Sequence, residues 1–197
     1  MPTQAWYLHR SVVGRLFFKN IQNPAAELHS LANSYNEESC INELRKYVEG
    51  LFALHSHDCY QDIRVLPALD EVELKMDRVT LIITQPATNP VQNSKLSEEW
   101  QKFFDSADFK NRVLFLTGSH RSMGRLIEQT RQYKAINDIL AEFNAERIAS
   151  SDQQYRDAEN SQDKITLSLR GALQETFTTL VYPGRDNALR VTDYRIV

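Results

Sequence analysis

The sequence predicts a mixed α/β fold: a central sheet of about four to six strands with packed helices, carrying a projecting long antiparallel helical hairpin. Three features lead to this reading. Val79–Thr84 (VTLIIT) and Val113–Thr117 (VLFLT) are short apolar runs of the kind a sheet buries on both faces. Segments with apolar residues at helical spacing alternate with them. From Arg121 onward a helical period continues for nearly sixty residues, with one polar break at Ser150-Ser151-Asp152.

Taken in order, Ala5–His9 and Arg15–Lys19 read as a β-hairpin, because aromatic and aliphatic residues flank Ser11-Val12-Val13-Gly14 and its turn glycine. Asn23-Pro24 supplies a helix N-cap and first-turn proline, with Leu28, Leu31 and Tyr35 on one face. A second helix is expected from Glu38 to Leu54, burying Ile41, Leu44, Val48, Leu51 and Phe52. Ile63–Pro67 and Val79–Thr84 are expected strands, and Pro86–Ser94 a turn-rich loop. Ser97 with Glu98 and Glu99 opens a helix at its positive end, sending Trp100, Phe103 and Phe104 inward. Val113–Thr117 is the clearest buried strand.

Beyond it, Leu126, Ile127, Thr130, Tyr133, Ile136, Ile139, Leu140 and Phe143 keep a 3.6-residue period. A further helix is expected from Gln153 to Leu180, polar as far as Lys164, which suggests a tip projecting from the main body. Each arm would be about 40 Å long. Pro183-Gly184 stops the second arm, and Leu189–Val197 returns as a strand. Residues 1–120 with 181–197 would form the body and 121–180 the hairpin of a single domain.

Composition narrows the function classes. The 197 residues are 42% hydrophobic and 25% charged, which excludes bulk disorder. No apolar run approaches a membrane span, and no signal peptide is visible, so no membrane partner is expected. Two cysteines, Cys40 and Cys59, make no disulfide framework and fit a cytoplasmic location. A net charge of −3 does not indicate a dedicated DNA binder, although DNA contact through a local patch stays open.

The strongest candidate for chemistry is Gly118–Arg125 (GSHRSMGR), where a buried strand passes through glycine into a helix. Free N–H groups and the helix dipole favour an anion there, so Gly118, Ser119, Arg121, Ser122 and Arg125 are candidate anion-binding residues. The loop is no P-loop: Met123 stands where the second glycine belongs, and Arg125-Leu126 replace the lysine and the magnesium-binding hydroxyl. A plain strand-to-helix turn capped by Ser119 or Ser122 is the simpler and preferred reading. His55, His57 and Cys59, with Cys40 upstream, could offer metal ligands, but their spacing lacks the paired pattern of structural zinc. Asp70-Glu71 and Glu98-Glu99 are adjacent and diverge, so they read as solvated faces. Arg121, Arg125, Arg131, Lys134, Arg147 and Arg156 are interleaved with Glu128, Asp138, Glu142, Glu146 and Asp157, as on solvent-facing helices. No nucleophile elbow occurs. No catalytic residue, metal or cofactor is therefore assigned to the chain.

Three stretches together resemble one family. AWYLHRSVVGRLFFKN (5–20), NRVLFLTGSHRSMGRLIEQTRQYKAINDIL (111–140) and DAENSQDKITLSLRGALQETFTTLVYPG (157–184) are similar to the later part of large prokaryotic predicted AAA+ ATPases of an uncharacterised family. The resemblance implies an accessory region from beyond the ATPase core, in proteins linked with DNA-modification or phage-defence loci, and a terminal LVYP strand. The family's phosphate-binding and acidic magnesium motifs have no counterpart here: VTLIITQP ends in Thr84-Gln85. The expected function is a non-catalytic accessory or interaction domain, coupling an ATPase core to a partner or nucleic acid. Its partner would be the remainder of a larger ATPase polypeptide or another protein. The alternative is a small phosphate- or nucleotide-binding hydrolase using the Gly118–Arg125 turn.

Overall fold

A computed structural model of the chain describes residues 6–20, 24–53 and 59–196. Its elements in order are β1 (Trp6–Arg10), β2 (Leu16–Asn20), α1 (Pro24–Ser34), α2 (Glu37–Leu51), β3 (Asp62–Val65), β4 (Thr80–Ile83), α3 (Glu98–Ser106), β5 (Val113–Thr117), α4 (Met123–Ala145), α5 (Gln153–Thr176), β6 (Thr179–Pro183) and β7 (Leu189–Asp193). The fold is mixed α/β, with five α-helices and a five-stranded mixed sheet among the described residues. By compactness the chain forms two units, Met1–Cys40 with Ile127–Arg170, and Ile41–Leu126 with Gly171–Val197. The boundaries fall inside α2, α4 and α5 rather than at helix ends.

The second unit holds the sheet, ordered β3-β4-β5-β6-β7. β3, β4 and β5 run parallel, and β6 and β7 add antiparallel. All four residues of β4 are buried, as a β-branched run between two neighbouring strands requires. Ile82, Phe115 and Val181 centre one core cluster with Trp100 and Phe104 of α3. The rings meet edge to face, Trp100 on Phe115 at 5.9 Å and Phe104 on Phe115 at 6.4 Å. Ser97 caps α3, its side chain accepting from the Trp100 N–H. Phe103 is only half-buried beside this cluster.

The first unit holds the β1–β2 hairpin, whose antiparallel register pairs Leu8 with Phe18 and Arg10 with Leu16. Gly14 takes φ +80° in its turn, the conformation glycine tolerates without strain. Ile136, Ile139, Leu140 and Phe143 of α4 pack with Ile148 and with Ala158 and Ile165 of α5, and Leu28 and Leu31 of α1 join them. Tyr155 donates to Asn144 at 2.9 Å, and Gln162 donates to Asn137 at 2.8 Å. Arg147, at φ +58°, ends α4 in a Schellman turn: the Ile148 N–H donates to Phe143 O and the Arg147 N–H to Asn144 O, both at 3.0 Å.

Several expectations are corrected. At the turn Arg147–Asp152, Ile148 and Asp152 are buried against the first hairpin, while Arg147, Ser150 and Ser151 are exposed. Val12 N–H donates to Arg147 O, Ala149 N–H to Arg10 O, and Ser11 bridges to Ile148. Asp152 caps α5 by accepting from Gln154 N–H at 2.9 Å. α5 ends at Thr176 rather than Leu180, and Thr179–Pro183 forms β6, since β-branched residues beside β5 gain more from sheet pairing than from another helical turn. β7 ends at Asp193. In α2, Leu44, Val48 and Phe52 are buried with Cys40, but Leu51 is 39% exposed. The Asn23 cap lies outside the described residues.

Candidate functional site

The Gly118–Arg125 turn leaves β5 at its carboxyl end and enters α4 through a short 3-10 turn at His120–Ser122. Gly118 is required by a close approach: a Cβ there would collide with the Thr176 carbonyl oxygen and meet Thr178 N at 2.8 Å. The Ser119 N–H donates to Thr176 O at 2.9 Å, and the Ser122 and Met123 N–H groups are spent on Ser119 O and His120 O. These donors face the protein rather than a ligand. Ser119 makes no side-chain cap to the 3-10 turn.

Arg125 reaches both carboxylate oxygens of Glu175, at 2.7 and 3.0 Å, which offsets its otherwise unfavourable place at the positive end of α4. Both partners are more than half exposed, so the pair contributes little stability. Arg121 is exposed.

The same turn borders a cavity of about 380 Å³ along the carboxyl ends of the three parallel strands. Leu66 and Pro67 reach it from β3, Gln85 to Thr88 from β4, and His120 and Met123 from β5; Ile41, Ser97, Glu99 and Trp100 complete its lining. The carboxyl edge of parallel strands is where open α/β sheets bind ligands, because every connecting loop opens there. His120 is held in it, its Nδ1 3.1 Å from Pro86 O and its Nε2 3.5 Å from the Thr88 hydroxyl. Leu66 lies at φ +46°, a left-handed conformation costing a bulky side chain about 1–2 kcal/mol. It is pinned there by its N–H on Ile83 O at 2.8 Å and by Arg45 Nη2 on its carbonyl at 2.7 Å.

The sequence reading picked out the turn but not His120 within it, and it read Glu99 as part of a solvated face. The signals were present, an imidazole just after a strand and a carboxylate just after a cap, but only strand order makes them neighbours.

Cys40 is buried and Cys59 exposed, and His55 and His57 lie outside the described residues. No group of three metal-ligating side chains occurs among the described residues. The interleaved charges of α4 pair locally: Lys134 with Asp138 at 3.2 Å and Arg131 with Glu128 at 4.0 Å. No described helix is long and apolar enough to cross a membrane.

A second surface stands out in the first unit. Leu8, Val12, Val13 and Leu16 of the hairpin are 54%, 70%, 80% and 64% exposed. Leu16 pairs with Arg10, two residues from Leu8, so Leu8 and Leu16 share one face, while His9 on the opposite face is fully buried. The chain matches no protein-family model, no curated protein and no solved structure.

Proposed function

We propose that the chain is a non-catalytic interaction module of a larger predicted AAA+ ATPase, and that it contacts the ATPase segment through the outer face of the β1–β2 hairpin. The observation that carries this reading is the exposure of Leu8, Val12, Val13 and Leu16 together on one short hairpin. Single exposed apolar residues are ordinary, but four on so small an element make a patch of the kind proteins cover with a partner. The resemblance of residues 5–20 to the family's own hairpin supports the choice of partner. The alternative hydrolase reading finds less support, because Arg125 is engaged by Glu175 and the Ser119 N–H by Thr176.

The test uses the natural polypeptide containing this chain, with a photo-reactive residue in place of Val13. Crosslinks to the ATPase segment are expected, and Val12→Asp should reduce their yield about tenfold, as for a central apolar contact. Crosslinks to DNA or to no part of the ATPase would overturn the reading. So would steady ATP turnover by the isolated chain that is lost on mutating one of its own residues.

A further inference from the structure

We infer that the cavity at the carboxyl edge of β3, β4 and β5 is a binding site for a small organic cation, an ammonium or guanidinium head on a short hydrocarbon stem. The inference concerns the sheet unit alone and does not rest on the proposed contact of the hairpin.

The ring of His120 is engaged on both sides. Its Nδ1 lies 3.1 Å from the Pro86 carbonyl, which can only accept, so Nδ1 donates there, and the Thr88 hydroxyl meets Nε2 at 3.5 Å. Glu99, exposed in the first turn of α3, is the acidic residue of the lining, and no lysine or arginine lies among the described residues lining it. The acidic group, with no cation beside it, calls for a ligand that brings N–H donors and positive charge. Ile41, Leu66, Met123 and the Trp100 ring form the apolar part of the wall, suited to an alkyl stem.

The first turns of α3 and α4 also border the cavity, and their dipoles favour an anion by about 0.3–1 kcal/mol at an exposed site. That preference is already met. Glu98 and Glu99 sit in the first turn of α3, Ser97 occupies the Trp100 N–H, and the Met123 N–H is taken by His120 O. A full carboxylate charge outweighs what remains of the dipoles. The left-handed Leu66, fixed from both sides, fits a wall shaped in advance of binding.

The experiment is an NMR titration of the full 197-residue chain with butylammonium and butylguanidinium chlorides, with sodium butyrate, inorganic phosphate and sodium chloride as controls. Saturable shifts at the Trp100 indole and the Thr88 and His120 amides are expected for the two cations, at concentrations on the order of 1 mM. Glu99→Gln should weaken them about tenfold, the loss of one charge-assisted hydrogen bond. Glu98→Gln should leave them unchanged. Glu99 is exposed, so an unaltered melt will establish that the variant folds. Equal or tighter binding of butyrate or phosphate, equal effects of the two glutamate variants, or no saturable shift with either cation would each overturn the inference. None of these results bears on the crosslinks of the hairpin.

Discussion

In the sheet unit the buried polar side chains among the described residues are all hydroxyls (Thr80, Thr84, Ser94, Thr117 and Thr176), set around an aromatic and aliphatic core. In the hairpin unit the joint between the first hairpin and the turn before α5 buries a histidine, a carboxylate and an amide: His9, Asp152 and Gln154 are each less than a tenth exposed. Asp152 holds this joint, accepting from Gln154 N–H at 2.9 Å and Arg10 N–H at 3.2 Å and lying 3.4 Å from His9 Nδ1. Both units have apolar cores, but the hairpin unit adds a polar centre that must keep its partners. Each should fail differently.

Gly118→Ala should produce the largest effect. The added carbon meets backbone atoms of Thr176 and Thr178, which cannot swing aside as a side chain could. A loss of more than about 4 kcal/mol in a urea melt is expected, with hydrogen-exchange protection lost across β5 and β6. A loss under about 1 kcal/mol would show that this unit is looser than its packing indicates.

Asp152→Ala should come next, at about 2–4 kcal/mol, through the lost N-cap, which leaves the buried Gln154 N–H without its acceptor, and the lost bond from the part-buried Arg10 N–H. Protection should fall at residues 9–11 and 147–154, while β4 and β5 keep theirs. Asp152→Asn, which can still cap, should recover part of the loss. If Asp152→Ala is instead neutral, the polar joint is not what holds the hairpin unit, and the contrast between the units collapses.

The smallest effect belongs to the β6–β7 turn. The Ala188 N–H, with Arg190 adding to it, holds the Asp186 carboxyl below its ordinary 3.8. Its contribution is therefore present above that value and lost as pH falls through the lower, folded-state pKa. Asp186→Ala should lower the melting temperature slightly and by a constant amount between about pH 5 and 8, with the difference vanishing under stronger acid. A difference that grew on acidification would reverse the sign of the linkage.

Much of the layout was legible in local chemistry. VTLIIT and VLFLT became the buried strands β4 and β5, Ser97 caps α3, and the Ser11–Gly14 turn joins β1 to β2. The misplaced end of α5 came from the apolar spacing through Leu180, which a helix and a strand can share over a few residues. Gly118 looked like a ligand-cradling glycine because strand-glycine-helix has that form. What decided otherwise was Thr176, fifty-eight residues further on, whose carbonyl leaves no space for a side chain.

By itself the amino-acid order determined which segments become strands and helices, because periodicity, caps and turn residues act over a few neighbours. It also carries the strand-glycine-helix turn at Gly118–Arg125 in a form other than the P-loop. Tertiary structure alone decided which side chains meet. Parallel pairing of β3, β4 and β5 brings Leu66, Thr88 and His120 to one cavity, and helix α3 adds Glu99. Closing the first hairpin over the turn before α5 buries His9 against Asp152. Such contacts join residues tens to more than a hundred positions apart, and no local pattern encodes them.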